Sequence, residues 1–237
     1  MRWMAERSRE HEILDDHEPD QETTDKIYRF LAGANRYLWG TSATLARFET
    51  FSRHWPPGSR IRILDVGSGA ADIPRSLIAW GHARGFDIDV TALDLSARAL
   101  VSARRFGAPD SHLHFVCGDV TRLPFPDRSF DYVTCALFFH HLGDDQIVTA
   151  LRAFDALAAR GIVVNDLVRD PRAWLWTTVF TLPFHPILRN DGPLSVKRAL
   201  RPHELQRLSA QAGLPWLSVT RHFGHRMTLS GERHTDA

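Results

Sequence analysis

Five short apolar runs alternate with amphipathic stretches between residues 61 and 166, and no other feature limits the fold of this chain as sharply. The runs are IRILDV (61–66), Ile88–Asp94, Leu113–Cys117, Phe130–Leu137 and GIVVND (161–166). Between them the apolar spacing changes to three and four. It predicts helices from about Ile73 to Ala83, from a cap at Ser96 through Phe106, and from Asp144 to Ala159. A strand that is apolar throughout must be covered on both faces, and parallel neighbours need a crossover long enough for a helix. The pattern predicts an α/β fold with a mostly parallel sheet between two helical layers.

The flanks read differently. Ile27, Phe30, Leu31, Ala34 and Leu38, then Leu45, Phe48 and Phe51, suit two short helices interrupted near Gly40, and Pro56-Pro57-Gly58 ends them. Downstream, AWLWTTVFTLPFHPIL (173–188) carries four aromatics and two prolines and belongs to no strand. A helix around His203–Ala212, with Gly213 at its end, precedes Trp216–Thr220 and Met227–Leu229, which flank Gly224 as an antiparallel hairpin. Residues 1–20 are polar, acidic and without period, and are expected to form a disordered acidic tail.

Composition excludes several classes. With 237 residues and 43% apolar side chains, the chain can bury a full core without a disulfide or metal framework. A net charge of +1, from 29 basic and 28 acidic residues, gives no global field toward nucleic acid. That charge is unevenly placed, because residues 1–26 hold four basic and nine acidic groups. Cys117 and Cys135 lie in apolar runs with no CxxC, so both are expected to be buried, reduced thiols of a cytoplasmic protein. The start, MRWMAERSREHE, lacks an apolar signal core, and no run of 18 uncharged apolar residues exists to span a membrane.

The chemistry begins at Leu64-Asp65-Val66-Gly67-Ser68-Gly69-Ala70-Ala71-Asp72. A strand feeding a Gly-x-Gly turn and a helix brings backbone N–H groups against a ligand. Asp65 ends the strand, and Asp72 stands where a dinucleotide-binding GxGxxG turn needs its third glycine. A carboxylate there repels a pyrophosphate but attracts an ammonium and a sulfonium, which favours S-adenosylmethionine over NAD. Asp94, followed by Leu95, closes the second strand, where an acid can accept both ribose hydroxyls. Asp119, followed by Val120, closes the third and can accept an adenine amino group. Asp65, Gly67, Ser68, Gly69, Asp94, Leu95, Asp119 and Val120 are the candidate cofactor-binding residues. Ligands of open α/β sheets bind at the carboxyl ends of strands, where these residues cluster.

The segments LDVGSGAAD, ALDLS, GDVTRLPFPDRSFDYV and FFHHL resemble the successive motifs of class I S-adenosylmethionine-dependent methyltransferases, over residues 60–166. The closer likeness is to the small-molecule branch of quinone-biosynthesis C- and O-methyltransferases. NRYLWG (35–40), VVNDLVRD (163–170) and DGPLSVKRALRPHEL (191–205) are similar to bacterial methyltransferases associated with type III polyketide synthases. Ala71 departs from the tighter Gly-x-Gly-x-Gly spacing of many members. The resemblance implies a Rossmann-like, seven-stranded, mostly parallel sheet with an antiparallel C-terminal hairpin and a helical cap. It divides residues 21–237, a single domain, into an N-terminal helical lid (21–56), a cofactor-binding core (60–166), a cap insertion (167–202) and a terminal helix and hairpin (203–230).

Methyl transfer to a phenol, with a pKa near 10, calls for a base that titrates near neutrality, and histidine is the natural choice. His140 and His141 follow the fourth strand, and Asp166 ends the fifth, so His140 or His141 is the candidate base and Asp166 its orienting partner. A loop or helix-start role for His141 stands beside this. No metal site is predicted, because no His/Asp/Glu cluster has ligand spacing at one locus. Trp174, Trp176, Phe180 and Phe184 read either as a core-covering helix or as a lid over an apolar acceptor, with 24–51 as its other wall. Arg169, Arg172, Arg189, Lys197, Arg198 and Arg201 outnumber nearby acids, which leaves peripheral membrane contact open. The implied partner is a small hydrophobic phenolic, quinol-like or polyketide acceptor, methylated on oxygen or carbon. The alternatives are an NAD-linked oxidoreductase, or a non-catalytic cofactor-binding subunit of the same fold. A nucleic-acid methyltransferase fits less well, since no Asn/Asp-Pro-Pro-Tyr-type tetrapeptide follows the fourth strand.

Overall fold

A computed structural model describes residues 4–120, 123 and 125–233. Thr121, Arg122 and Pro124 of the GDVTRLPFPDRSFDYV segment lie outside the described residues, as do the first three and last four residues of the chain. A single turn α1 (Ile13–Asp16) precedes α2 (Gln21–Tyr37) and α3 (Gly40–Phe51). The α/β unit runs β1 (Arg60–Val66), α4 (Asp72–Ala83), β2 (Asp87–Asp94), α5 (Ala97–Arg105), β3 (Leu113–Cys117), β4 (Phe130–Ala136), α6 (Asp144–Leu157) and β5 (Ala158–Leu167). Two cap helices, α7 (Pro171–Thr181) and α8 (Pro186–Arg198), lead to α9 (Pro202–Gln211) and the hairpin β6 (Ser218–His222) and β7 (Arg226–Glu232). Among the described residues the sheet has seven strands in the order β3-β2-β1-β4-β5-β7-β6. The first five are parallel, and β7 joins β5 antiparallel, as the sequence predicts.

Local chemistry sets the boundaries. Asp20 caps α2 by accepting from the Thr23 N–H, Ser96 caps α5 through the Ala99 N–H, and Asp170 caps α7. Proline occupies the first turn of α7, α8 and α9, where its missing N–H costs nothing. The 173–188 stretch is therefore two helices rather than one, because Pro186 restarts the chain. Strand β5 starts at Ala158, paired with Phe130, three residues earlier than its apolar run suggests. Cys117 differs from expectation: it is exposed at the end of the edge strand β3, and only Cys135 is buried.

The core lies on both faces of the sheet. On one face α6 and α9 pack Ile147, Leu151, Phe154 and Leu205 against Val133, Ile162 and Leu229. On the other, Phe48, Phe51, Trp55, Trp80 and Tyr132 form a ring cluster beneath α3 and α4. Phe51 stacks on Tyr132 at 5.6 Å between centroids, and Phe48 meets the same ring edge-on at 5.4 Å. The Tyr132 hydroxyl accepts from Trp55 Nε1 (2.8 Å) and donates to Glu232 Oε1 (2.5 Å), tying the segment that follows α3 to β4 and β7.

Residues 4–20 are not a disordered tail. They form a strap across the carboxyl side of the sheet. Met4 is buried against Ala173 and Val196, and its carbonyl accepts from Arg169 Nε (3.2 Å) and Arg201 Nη2 (2.9 Å). Arg7 donates to the Arg198 and Leu142 carbonyls, both at 2.8 Å. Farther along, Glu18 accepts from Ser96 Oγ (2.5 Å) and pairs with Arg98 (3.4 Å). The physical reason is charge: an acidic segment with little apolar content of its own docks on the basic cap. Phe48→Ala, which empties the centre of the ring cluster, is expected to lower unfolding stability by about 3–5 kcal/mol in chemical denaturation.

Candidate active site

The carboxyl ends of β3, β2, β1, β4 and β5 stand side by side, so Asp119, Asp94, Asp65, His140 and Asp166 share one edge of the sheet. The Gly turn folds back on β2: the N–H groups of Gly67 and Ser68 donate to the Leu93 carbonyl at 2.8 and 3.1 Å. Gly67 and Gly69 are left-handed, with φ of +66° and +52°, and a Cβ on either would lie 2.8 Å from a ring, Phe138 and Tyr28 respectively. Ala71 is also left-handed (φ 57°), so the substituted third position bears backbone strain of about 1–2 kcal/mol.

The acids are arranged for a cation. Asp94 accepts from the Gly69 N–H (2.7 Å) and the Ser96 N–H (2.9 Å). Burial raises its pKa, and these N–H groups hold the rise back. Asp65 is buried, and its Oδ1 has no hydrogen-bond partner among the described residues. Burial, then the charges of Asp72 and Asp94, push its carboxyl far above the ordinary range. Asp72, half-buried, is raised by the same desolvation and accepts from Asn35 Nδ2 at 3.0 Å. No salt bridge reaches any of these three carboxylates among the described residues. Beside them Leu95 is 72% exposed, Asp119 is exposed, and Val120 is half-buried. An ammonium, a sulfonium, ribose hydroxyls and a purine fit that donor set, whereas a pyrophosphate does not.

His140 and Asp166 form a buried pair. Asp166 Oδ1 lies 2.7 Å from His140 Nδ1, and Oδ2 accepts the His140 backbone N–H at 3.0 Å. Burial alone would raise Asp166, yet His140 and the N–H groups of Leu167 and His140 hold it below the usual range. His141, half-buried, places Nδ1 2.8 Å from Asp15 of the strap instead. The strap also brings Glu12 to 3.9 Å from His140 Nε2, and Arg198 to 3.7 Å from Glu12. Glu12, His140 and His141 thereby offer three ligand atoms within 4.8 Å of one another. Sequence spacing gave no such cluster, because Glu12 arrives from the distant strap, and Arg198 supplies positive charge within it.

Four contributors escaped sequence reading. Tyr28 covers Gly69, Phe138 covers Gly67, Asn35 holds Asp72, and buried Arg226 donates to Asn35 Oδ1 at 3.3 Å. NRYLWG, which contains Asn35, and FFHHL, which opens with Phe138, were the segments that carried a signal. Trp174 packs toward Met4 and Val196, whereas Phe180 and Phe184 meet Phe30 of α2 at 5.8 and 4.5 Å. The aromatic stretch therefore splits between two faces, one of which closes against the N-terminal helix.

A seven-stranded sheet with its last hairpin antiparallel, a Gly turn after β1 and acids at successive strand ends define the class I methyltransferase fold. Residues 63–161 match the family described as "Methyltransferase domain". It is similar to a demethylmenaquinone methyltransferase of Deinococcus radiodurans, 33% identical over 134 residues, which cover 56% of this chain and 54% of that protein. The chain thus spans about half the length of the curated relatives it matches. In fold it is similar to human N-acetylserotonin methyltransferase in complex with SAM (TM-score 0.64, 15% identity, 91% of this chain and 57% of that one). A second fold neighbour is the plantazolicin methyltransferase in complex with SAH (TM-score 0.61, 16% identity, 86% and 75%).

Burial raises the Glu12 carboxyl to about 7, well above its ordinary 4.5. A raised acid favours the docked strap at low pH, and that contribution is lost as pH climbs from about 4.5 through 7. Amide protection factors for residues 5–16 should therefore fall between pH 5 and pH 8, and Glu12→Gln should flatten the fall. Equal protection at both pH values in the wild-type chain would contradict the assignment.

Proposed function

We propose that the chain is an S-adenosylmethionine-dependent methyltransferase that modifies a small hydrophobic phenolic, quinol-like or polyketide acceptor on oxygen or carbon. The observation that carries this reading is the row of carboxylates at the strand ends, of which Asp65 has a buried oxygen with no hydrogen-bond partner among the described residues. When bound, the cofactor supplies an electrophilic methyl group on a sulfonium. Asp65 and Asp72 hold its ammonium end, Asp94 accepts its ribose hydroxyls, and Leu95, Asp119 and Val120 take the adenine. Gly67, Ser68 and Gly69 bring the backbone close. The likeness to a demethylmenaquinone methyltransferase supports a quinol-like acceptor.

The acceptor's oily part finds its wall where Phe30 meets Phe180 and Phe184. Outside this wall Leu175, Trp176 and Val179 of α7 and Leu182 just after it are exposed, an apolar ridge suited to collecting an acceptor from a lipid surface. No helix among the described residues is long and apolar enough to cross a membrane. Asp166, kept ionised, selects the tautomer with the proton on His140 Nδ1, leaving Nε2 to take the acceptor's proton. Because Nε2 faces Glu12 of the strap, His140 works as a base only with the strap withdrawn.

Calorimetry should detect S-adenosylhomocysteine but not NADH, and Asp94→Ala should weaken the former severely; unchanged affinity would count against the cofactor assignment. With an alkylresorcinol as acceptor, His140→Ala should cut turnover by roughly 10²–10⁴ and leave cofactor affinity intact. Full turnover in that variant would place the base elsewhere. Each methylene buried from the alkyl tail contributes about 0.8 kcal/mol, so a tail-less parent should show a KM at least tenfold higher.

A further inference from the structure

Behind the Gly turn a buried cation faces Asp72 across a single amide. Arg226 Nη2 of β7 donates to Asn35 Oδ1 of α2 (3.3 Å), and Asn35 Nδ2 donates to Asp72 Oδ2 (3.0 Å). Arg226 and Asn35 are buried, and Asp72, the first residue of α4, is half-buried. Among the described residues Arg226 forms no salt bridge, and its Nη1 has no hydrogen-bond partner. Burial lowers the guanidinium to about 10, while the charges of Asp166 and then Asp72 hold it up. In return, the charge of Arg226 works against the rise that burial imposes on the Asp72 carboxyl.

The amide between the two charges can point only one way. Its oxygen faces the guanidinium, which only donates, and its Nδ2 faces the carboxylate, which only accepts. A flipped amide would set donor against donor and oxygen against oxygen. Helix α3 walls it in. Asn165 Nδ2 donates to the Gly40 carbonyl (2.7 Å) and to Thr44 Oγ1 (2.8 Å), holding α3 against β5. A Cβ on Gly40 would lie 2.5 Å from Asn35 Oδ1 and 3.2 Å from Arg226 Nη2, so glycine leaves the room that this amide fills. A direct bridge between Arg226 and Asp72 would occupy the carboxylate. An interposed amide keeps the charges apart, and in a buried site their attraction still acts across it.

We infer that Arg226 is a positioning residue for the cofactor's ammonium group: acting through Asn35, it fixes the Asp72 carboxylate and supplies its countercharge without occupying it. The inference rests on the proposed function, in which Asp65 and Asp72 hold that ammonium, and names what keeps the second acid charged and aimed. The charges acting on Asp65 are those of Asp72 and Asp94, both negative, and burial pushes its carboxyl well above the ordinary range. The negative charge that meets the ammonium therefore rests with Asp72. Arg226 reaches it from the antiparallel strand β7, 191 positions from Asn35, so the terminal hairpin and the N-terminal helix α2 both take part in holding the cofactor.

Binding to the full chain is measured by calorimetry with S-adenosylhomocysteine and two analogues. One is 5′-deoxy-5′-(3-aminopropylthio)adenosine, which keeps the amine but has no carboxylate; the other is 5′-deoxy-5′-methylthioadenosine, which has neither. The wild-type chain should bind both amine-bearing ligands more tightly than methylthioadenosine. Arg226→Met should weaken those two roughly 10- to 100-fold and leave methylthioadenosine unchanged. Arg226→Lys should recover part of the loss. Asn35→Leu should match Arg226→Met, and the double variant should lose no more than either alone, because one residue acts through the other. Gly40→Ala, which crowds Asn35 and removes no charge, should give the same selective loss, so the inference stays testable if Arg226→Met fails to fold. A loss confined to S-adenosylhomocysteine, with the aminopropyl analogue unchanged, would make Arg226 a direct partner of the cofactor's carboxylate and overturn the inference. Equal losses for all three ligands, the mark of a merely structural role, would overturn it too. So would additive losses in the double variant, no loss in any variant, or a wild-type chain that binds the three ligands equally. Failure of the wild-type chain to bind either S-adenosylhomocysteine or methylthioadenosine would instead sink the methyltransferase reading, and the inference with it.

Discussion

Carboxylates enclosed at the strand ends with no salt bridge among the described residues are the constraint around which the rest of the structure is organised. Asp72 and Asp94 each repel Asp65, and desolvation pushes all three toward their neutral forms. A fold tolerates such a group only where rigid surroundings leave it no escape and a ligand relieves it. The surroundings here are backbone: the turn pinned to Leu93, the N–H of Gly69 on Asp94, and rings over both glycines. The site is therefore pre-organised for positive charge before any ligand arrives.

A second balance of charge closes the opposite end of the edge. The acidic strap delivers Glu12 and Asp15 to a neighbourhood of His140, His141 and Arg198, and Arg198 also donates to the carbonyls of both histidines. Glu12 sits between two roles, as a partner for Arg198 and as a desolvated acid with a pKa near neutrality. The strap's hold on the site is accordingly sensitive to pH. The cap and the N-terminal helices meet over the same edge through Phe30, Phe180 and Phe184, so one aromatic contact joins segments about 150 residues apart.

Much of the α/β core was legible because both of its signals are local. Apolar runs of strand length and spacings of three and four do not depend on distant partners, and the predicted strands agree with the observed ones to within a few residues. The exceptions have tertiary causes. Strand β5 starts early because Phe130 offers it a partner, and Cys117 is exposed because β3 has no neighbour beyond it. Residues 4–20 look disordered in isolation, since an acidic segment with few apolar residues cannot fold alone, yet they find complementary charge on the cap.

The same division holds for the site. Sequence alone determined the acids at strand tips, the Gly turn and the neighbouring positions of His140 and Asp166, because each belongs to one strand–turn unit whose geometry is set within a few residues. Only the tertiary structure decided which remote groups meet them: Tyr28 on Gly69, Asn35 between Asp72 and Arg226, Glu12 on His140. These contacts span tens to hundreds of residues of chain, and no periodicity records them. They exist because two helices, a strap and an antiparallel strand are packed against one sheet edge by their apolar sides, which brings their polar groups together as a consequence.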